Sequence, residues 1–182
     1  TVEVPGIGAV PFDVAYGGNT YAIADAAYFP GLELRSGHRS AIEKAAQAFG
    51  DAVRAAVKFQ HPLQPFINVI THAMFYTKPD DPTATYRNTV VFLPDSLDRS
   101  PCGTGTSARV ASLFAKGELG LNEPFVHESV IGTQFRARIV EPAMVGPYKG
   151  GIPEVSGSAY VTGLLKLVID PADPLRHGFR LA

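Results

Sequence analysis

The sequence predicts an α+β fold in which many short strands pack with two helices. Three observations carry that expectation. Short apolar alternations recur along the chain, punctuated by Gly, Pro and Asn. Only two stretches, 38–58 and 104–116, sustain apolar residues at helical spacing. The 182 residues are 46% apolar and 18% charged, enough to bury a core of ordinary size. The strand and helix patterns do not alternate regularly, so a βαβ series is not expected.

Residues 1–30 hold three expected strands, marked by Val2 and Val4, by Val10, Phe12 and Val14, and by Tyr21 and Ile23. Pro5-Gly6, Gly8 and Gly17-Gly18-Asn19 supply the turns between them. After a connector at 31–37, the segment 38–58 is the clearest helix, with Ile42, Ala45, Ala46, Phe49, Ala52, Val53, Ala56 and Val57 on one face. Ser40 followed by Glu43 reads as a capping box, and His61-Pro62 ends the run. Gly50 weakens the middle of this helix by roughly 1 kcal/mol relative to Ala. Residues 66–76 and 87–93 read as strands around a polar loop at 78–83. A second helix runs from Thr104 or Thr106 to Lys116, buries Val110, Leu113 and Phe114, and stops at Gly117. Residues 125–140 and 152–169 are two more strand regions, and 173–182 reads as a finishing turn and short strand. The opening Thr1-Val2-Glu3-Val4-Pro5-Gly6 reads like the middle of a strand-rich domain, so the chain is expected to begin partway through a longer protein.

The formal net charge of −1, with acids and bases interspersed, supports neither nucleic acid nor an anionic membrane as a partner. No apolar run is long enough to span a bilayer as a helix. A single cysteine cannot form an internal disulfide, which makes a reducing, cytoplasmic setting the expectation. His38, His61, His72, His127 and His177 show no HExxH spacing and no cysteine partner, so no metal centre is expected. His127-Glu128-Ser129 lies outside any G-x-S-x-G motif and reads as a solvated strand end. Phe125, Phe135 and Tyr160 read as core.

The chemistry concentrates in Asp98-Arg99-Ser100-Pro101-Cys102-Gly103-Thr104-Gly105-Thr106. Cys102 sits where a helix begins, so backbone N–H groups and the positive end of the helix dipole favour thiolate over thiol and favour an anion beside it. Gly103 and Gly105 permit close backbone approach to a ligand, and Thr104 and Thr106 add hydroxyls. Asp98, four residues upstream, can receive a ligand ammonium. Carboxylate and amine recognition around a thiol points to an amino acid substrate. Two other readings compete: a lone cysteine used as a small core hydrophobe, and a G-x-G-x-x-A dinucleotide fingerprint over Gly103–Ala108 with Glu123 downstream. The fingerprint needs a tight turn, whereas residues 94–100 separate the preceding strand from the glycines.

This run resembles the second cysteine motif of the proline racemase family, which includes hydroxyproline epimerases and trans-3-hydroxyproline dehydratases. The resemblance spans the chain. Val4-Pro5-Gly6-Ile7-Gly8, Tyr16-Gly17-Gly18-Asn19, Gln60-His61-Pro62, His127-Glu128-Ser129-Val130-Ile131-Gly132, Gly157-Ser158-Ala159-Tyr160-Val161-Thr162-Gly163 and Asp173-Pro174-Leu175-Arg176-His177-Gly178-Phe179 fall in the family's order. Two departures stand out. The family's first motif, Met-Cys-Gly-His, has no counterpart, since the sequence contains no Cys-Gly-His, and Leu93-Pro94-Asp95-Ser96-Leu97 replaces a Gly/Asp-Gly-Gln type of loop.

The resemblance implies a diaminopimelate-epimerase-like fold of two lobes, each a curled antiparallel or mixed sheet around a central helix, with the site between them. Residues 1–182 would be the C-terminal part, mainly the second lobe, with 170–182 returning to the first. The implied activity is cofactor-independent inversion of Cα of proline or hydroxyproline by a thiol/thiolate pair. Cys102 would be one acid/base, Gly103 and Thr104 would hold the carboxylate through backbone N–H groups, Asp98 would hold the amino nitrogen, and Phe92 would form an aromatic wall. The implied partners are an imino acid substrate, the first lobe and possible homodimerisation, with no metal. A dehydratase and a non-catalytic amino-acid-binding lobe are the alternatives. A second acid/base on the opposite face is needed for inversion, so this chain alone is not expected to racemise.

Overall fold

The computed structural model describes residues 1–178. β1 (Val2–Val4) and β2 (Gly8–Val10) pair as a small antiparallel ribbon. The main sheet holds β3 (Asp13–Tyr16), β4 (Thr20–Asp25), β5 (His72–Thr77), β6 (Tyr86–Phe92), β7 (Ser96–Leu97), β8 (Phe125–Glu128), β9 (Gln134–Val145) and β10 (Tyr148–Ser156). Its order is β10-β9-β8-β6-β5-β4-β3, with β7 paired to β6 beside this path. The β4–β5 and β6–β8 pairs are parallel and the others antiparallel. α1 (Arg39–Ala56) lies between β4 and β5 in the chain, and α2 (Gly103–Lys116) between β7 and β8. Each helix therefore bridges a parallel pair. The sequence reading missed these two crossovers because a parallel pairing is non-local and leaves no trace in a turn.

Strand alternation sorts the core into two faces. Tyr21, Ile23, Met74 and Val90 pack with Ala108 of α2. Ala22, Ala24, Ala73, Phe75 and Val91 pack with Ile42, Ala46, Phe49 and Val53 of α1. A strand covered on both sides reads as a continuous apolar run, which is what Tyr21-Ala22-Ile23-Ala24 is. α2 touches β3 and β10, the two ends of the sheet order, so the sheet curls around α2 while α1 covers its outer face. The expected α+β class, a curled mixed sheet around a central helix, is the architecture observed.

Several boundaries differ from expectation, each for a local reason. The first 30 residues form four strands, because Pro11 cannot donate to a ladder and separates β2 from β3. α1 is entered from a 3-10 turn at Ser36–His38, so His38 rather than Ser40 occupies the cap position. Glu43 pairs with Arg39 at 2.7 Å, and the capping box does not form. The strand expected from residue 66 begins at His72, since Leu63 and Gln64 donate their N–H groups to His61 Nδ1 and hold the preceding segment in a turn. The region 125–140 is split into β8 and β9 by a turn in which Gly132 adopts φ 82°.

The last strand region is corrected most. β10 ends at Ser156, and 157–178 form neither strand nor helix. Tyr160 is 88% exposed and Leu164 96% exposed, so Tyr160 is not core. Their apolar character reads as burial in the sequence, but no element among the described residues covers them. Turns occur within 171–177, while the short strand expected at the end falls on 179–182, outside the described residues. No helix among the described residues is long and apolar enough to cross a membrane.

Candidate active site

The hairpin from β6 into β7 pairs Val91 with Leu97 and Phe92 with Ser96, and so delivers Asp98 beside the sheet. Asp98 N–H donates to Val90 C=O at 2.9 Å, and its Oδ1 accepts Ser100 N–H at 2.8 Å, an Asx turn. Ser100 Oγ accepts Cys102 N–H at 3.0 Å. Pro101 C=O is gripped from two sides, by Asn88 Nδ2 at 2.9 Å and Thr106 Oγ1 at 3.2 Å. This lacing holds Cys102 at φ 64°, ψ 115°, a conformation that costs a non-glycine residue on the order of 1–3 kcal/mol. Cys102 is the N-cap of α2. Its Sγ accepts Gly105 N–H at 3.3 Å, the role an Asp or Ser oxygen usually fills.

The first turn of α2 leaves the N–H groups of Gly103 and Thr104 without intrahelical acceptors, beside the sulfur. A Cβ on Gly103 would meet nothing within 4 Å, so this backbone is open to approach. Gly105 is different. A Cβ there would lie 2.8 Å from Met74 Cε and 3.0 Å from Val90 Cγ2, so Gly105 seats α2 on the sheet rather than admitting a ligand. The dinucleotide reading loses that glycine, and Glu123 Oε2 is engaged locally by Gly120 N–H at 2.6 Å.

Tyr21, His72 and Phe92 are register partners across β4, β5 and β6. Their ring centroids are spaced 4.8 Å and 5.0 Å, forming an aromatic row that runs out to a half-exposed Phe92. Tyr21 Oη lies 2.5 Å from Thr104 Oγ1 and 3.5 Å from Cys102 Sγ. Burial lowers the His72 pKa, opposed by the carboxylate of Asp98. Of this row, sequence reasoning named Phe92 and did not name Tyr21 or His72. Only the strand alternation, which puts Tyr21 and Ile23 on one face, hinted at where Tyr21 points.

The Gly17-Gly18-Asn19 turn, read from sequence only as a turn, is also the seat of α2. A Cβ on Gly17 would stand 2.3 Å from both Ala108 N and Thr104 O, and Gly18 adopts φ 110° against Thr104 Cγ2. Asn19 Nδ2 reaches Thr104 Oγ1 at 3.5 Å.

Beneath the cysteine, the expected solvated strand end is instead buried. His127, Glu128 and Ser129 are all inaccessible, because β8 lies between β6 and β9 in the sheet interior. Thr106 Oγ1 gives its proton to Pro101 C=O, so it accepts from His127 Nδ1–H at 3.0 Å, and His127 Nε2 has no partner. Burial, reinforced by Arg109, lowers the His127 pKa to about 3, so the ring is neutral. Burial pushes the Glu128 carboxyl up, but Arg87 at 2.8 Å and the N–H of Asp80 at 2.8 Å outweigh it and hold the carboxyl below its ordinary value. Among the described residues no three of His, Cys, Asp or Glu cluster as metal ligands.

A half-buried thiol and two N–H groups without intrahelical acceptors thus lie at the start of α2, with the Asp98 carboxylate on the segment that leads into it, one of its oxygens held by Ser100 N–H. The model of the family described as "Proline racemase" matches residues 1–180. This chain belongs to the proline racemase family. It is 42% identical over 180 residues to a proline racemase of Clostridioides difficile, covering 99% of this chain and 53% of that protein. It is 44% identical over 181 residues to a 4-hydroxyproline 2-epimerase of Streptosporangium roseum, covering 100% of this chain and 54% of the relative. Among solved structures, a hydroxyproline epimerase from Agrobacterium vitis with bound trans-4-OH-L-proline matches with a TM-score of 0.79 at 32% identity, over 96% of this chain and 50% of that one. The chain therefore spans about half the length of the curated relatives it matches.

Proposed function

We propose that this chain supplies one face of a cofactor-independent racemase or epimerase site acting on proline or hydroxyproline, with Cys102 as the acid/base at Cα. The observation that carries this reading is Cys102 itself, held at φ 64° as the cap of α2 with Sγ on Gly105 N–H and with the N–H groups of Gly103 and Thr104 alongside. The names of the matched relatives, proline racemase and 4-hydroxyproline 2-epimerase, support the substrate class.

The chemistry follows from the geometry. The substrate carboxylate binds at the Gly103 and Thr104 N–H groups. As Cα loses its proton the carboxylate gains enolate character, and fixed backbone donors at a helix N-terminus stabilise that added charge without reorganising. The free Oδ2 of Asp98 receives the imino nitrogen, and Phe92 walls the ring. The Cys102 thiolate takes the proton on its own face. Inversion requires a second acid/base on the opposite face, which this reading assigns to a first lobe. Residues 157–169, apolar and uncovered, support a partner surface of that kind.

The test replaces Cys102 with Ser in a protein carrying this chain together with the first lobe. Inversion of proline or hydroxyproline is expected to be lost, and with it solvent deuterium exchange at Cα on this face. Exchange continuing at the wild-type rate would sink the reading. Release of a keto acid or pyrroline product from 3-hydroxyproline, without inversion, would instead identify a dehydratase.

A further inference from the structure

Tyr21 is fully buried in β4, yet its hydroxyl reaches the first turn of α2. It sits 2.5 Å from Thr104 Oγ1 and 3.5 Å from Cys102 Sγ, while Thr104 Oγ1 sits 3.7 Å from the same sulfur. On its other side Thr104 Oγ1 meets Asn19 Nδ2 at 3.5 Å, which is a donor. A proton count decides what remains. Each hydroxyl carries one proton, and the short O···O contact consumes one. Among the described residues the two oxygens have no other acceptor within reach except sulfur. The second proton is thus available to Sγ, from the phenol when Thr104 donates to Tyr21, and from the threonine when Tyr21 donates to Thr104.

We propose that Tyr21 is a catalytic residue of this site, the Tyr21–Thr104 hydroxyl pair holding one O–H proton against Cys102 Sγ as the second donor to the thiolate beside Gly105 N–H. The inference rests on the reading of Cys102 as the acid/base. Sulfur that alternates between thiolate and thiol needs donors that strengthen the anion without protonating it. Desolvation raises the Tyr21 phenol well above its ordinary range, and its contact with Cys102 raises it further, so Tyr21 keeps its proton where the thiolate forms. The other titratable groups facing this cluster are His72, stacked on Tyr21 from β5, Asp98 on the loop before the cysteine, and Tyr76 from β5, which lies under Arg109 of α2. None of them is altered in the test.

Cys102 is the chain's only cysteine, so alkylation of the full 182-residue chain by iodoacetamide reads this sulfur alone. The rate is measured as a function of pH for the wild type and for variants. Tyr21→Phe and Thr104→Val each leave one hydroxyl able to donate to sulfur, so each is expected to move the profile midpoint upward by less than about half a pH unit. The double variant Tyr21→Phe/Thr104→Val removes both and is expected to move it by about one unit or more, the size of a hydrogen bond to a charged group. Tyr21→Phe/Thr104→Ser restores one hydroxyl and is expected to track Tyr21→Phe alone. If the Val and Ser double variants shift equally, or the Val double variant matches wild type, the hydroxyl pair does not serve the sulfur and the inference is overturned. These outcomes are independent of turnover. Deuterium exchange surviving in Cys102→Ser would remove the acid/base reading and leave the titration standing.

Discussion

Acid should unfold this chain in large part through His127. The ring is buried in β8, and Thr106 commits its only proton to Pro101 C=O, so His127 must donate through Nδ1 and leave Nε2 bare. Protonation would add a buried N–H with no acceptor and a positive charge near Arg109. These causes, burial first, take the pKa from 6.5 to about 3. The sign follows from proton uptake. As pH falls below 6.5 the unfolded chain binds a proton at this position, while the native chain does not until about pH 3. The stabilisation is therefore complete above the unfolded value and is lost as pH falls toward the folded one. One proton of difference is a slope of about 1.4 kcal/mol per pH unit. Two units of acidification then remove about 2.5–3 kcal/mol, against a total stability on the order of 5–15 kcal/mol for a domain. The assay is urea unfolding at a series of pH values for wild type and His127→Asn, whose amide N–H can still reach Thr106. Contributions from Glu128 and His72 are common to both proteins and cancel in the comparison. The wild-type curve should fall more steeply by one proton over this window. Parallel curves would mean that His127 titrates in the native state as it does in the unfolded one, and the buried, one-sided hydrogen bonding described for it would be wrong.

Arg87→Ala removes the only cation among the described residues that pairs with the buried Glu128 carboxylate, leaving it the Asp80 and Asp81 N–H groups, and should cost up to about 3–5 kcal/mol in denaturant unfolding. A single loss below the error of the measurement would show that water reaches the pair. Gly17→Ala places a methyl group 2.3 Å from backbone atoms of Ala108 and Thr104, which cannot yield as a flexible side chain does. It should destabilise by about 1–3 kcal/mol or more, and a neutral variant in the same unfolding assay would show that the turn does not seat α2.

Much of the fold was legible because it is local. The apolar face of α1, the start of α2 beside the cysteine, its stop at Gly117, and the strands at β4 to β6 all follow from periodicity and capping residues within a few positions of one another. The same holds for the local geometry of the candidate site, since Asp98, Cys102, Gly103 and Thr104 share one short run whose Asx turn and helix cap are made between its own residues. Where local reasoning failed, a non-local neighbour was decisive. The Ser40 cap lost to a preceding 3-10 turn, and Gly105, read as ligand-facing, was claimed by Met74 and Val90.

By itself, then, the sequence determined the two helices, several of the strands, the motif and the identity of the thiol, because those depend on side chains and backbone a few residues apart. The tertiary structure alone decided what surrounds the thiol. Tyr21 lies 81 residues before Cys102, and the Thr106–His127 bond that braces Pro101 spans 21 residues. Sheet order decided whether His127 met water or protein, and it aligned Tyr21, His72 and Phe92 in one row. Burial and hydrogen-bond partners depend on which strands become neighbours, and strands distant in the chain become neighbours only when the sheet closes around α2.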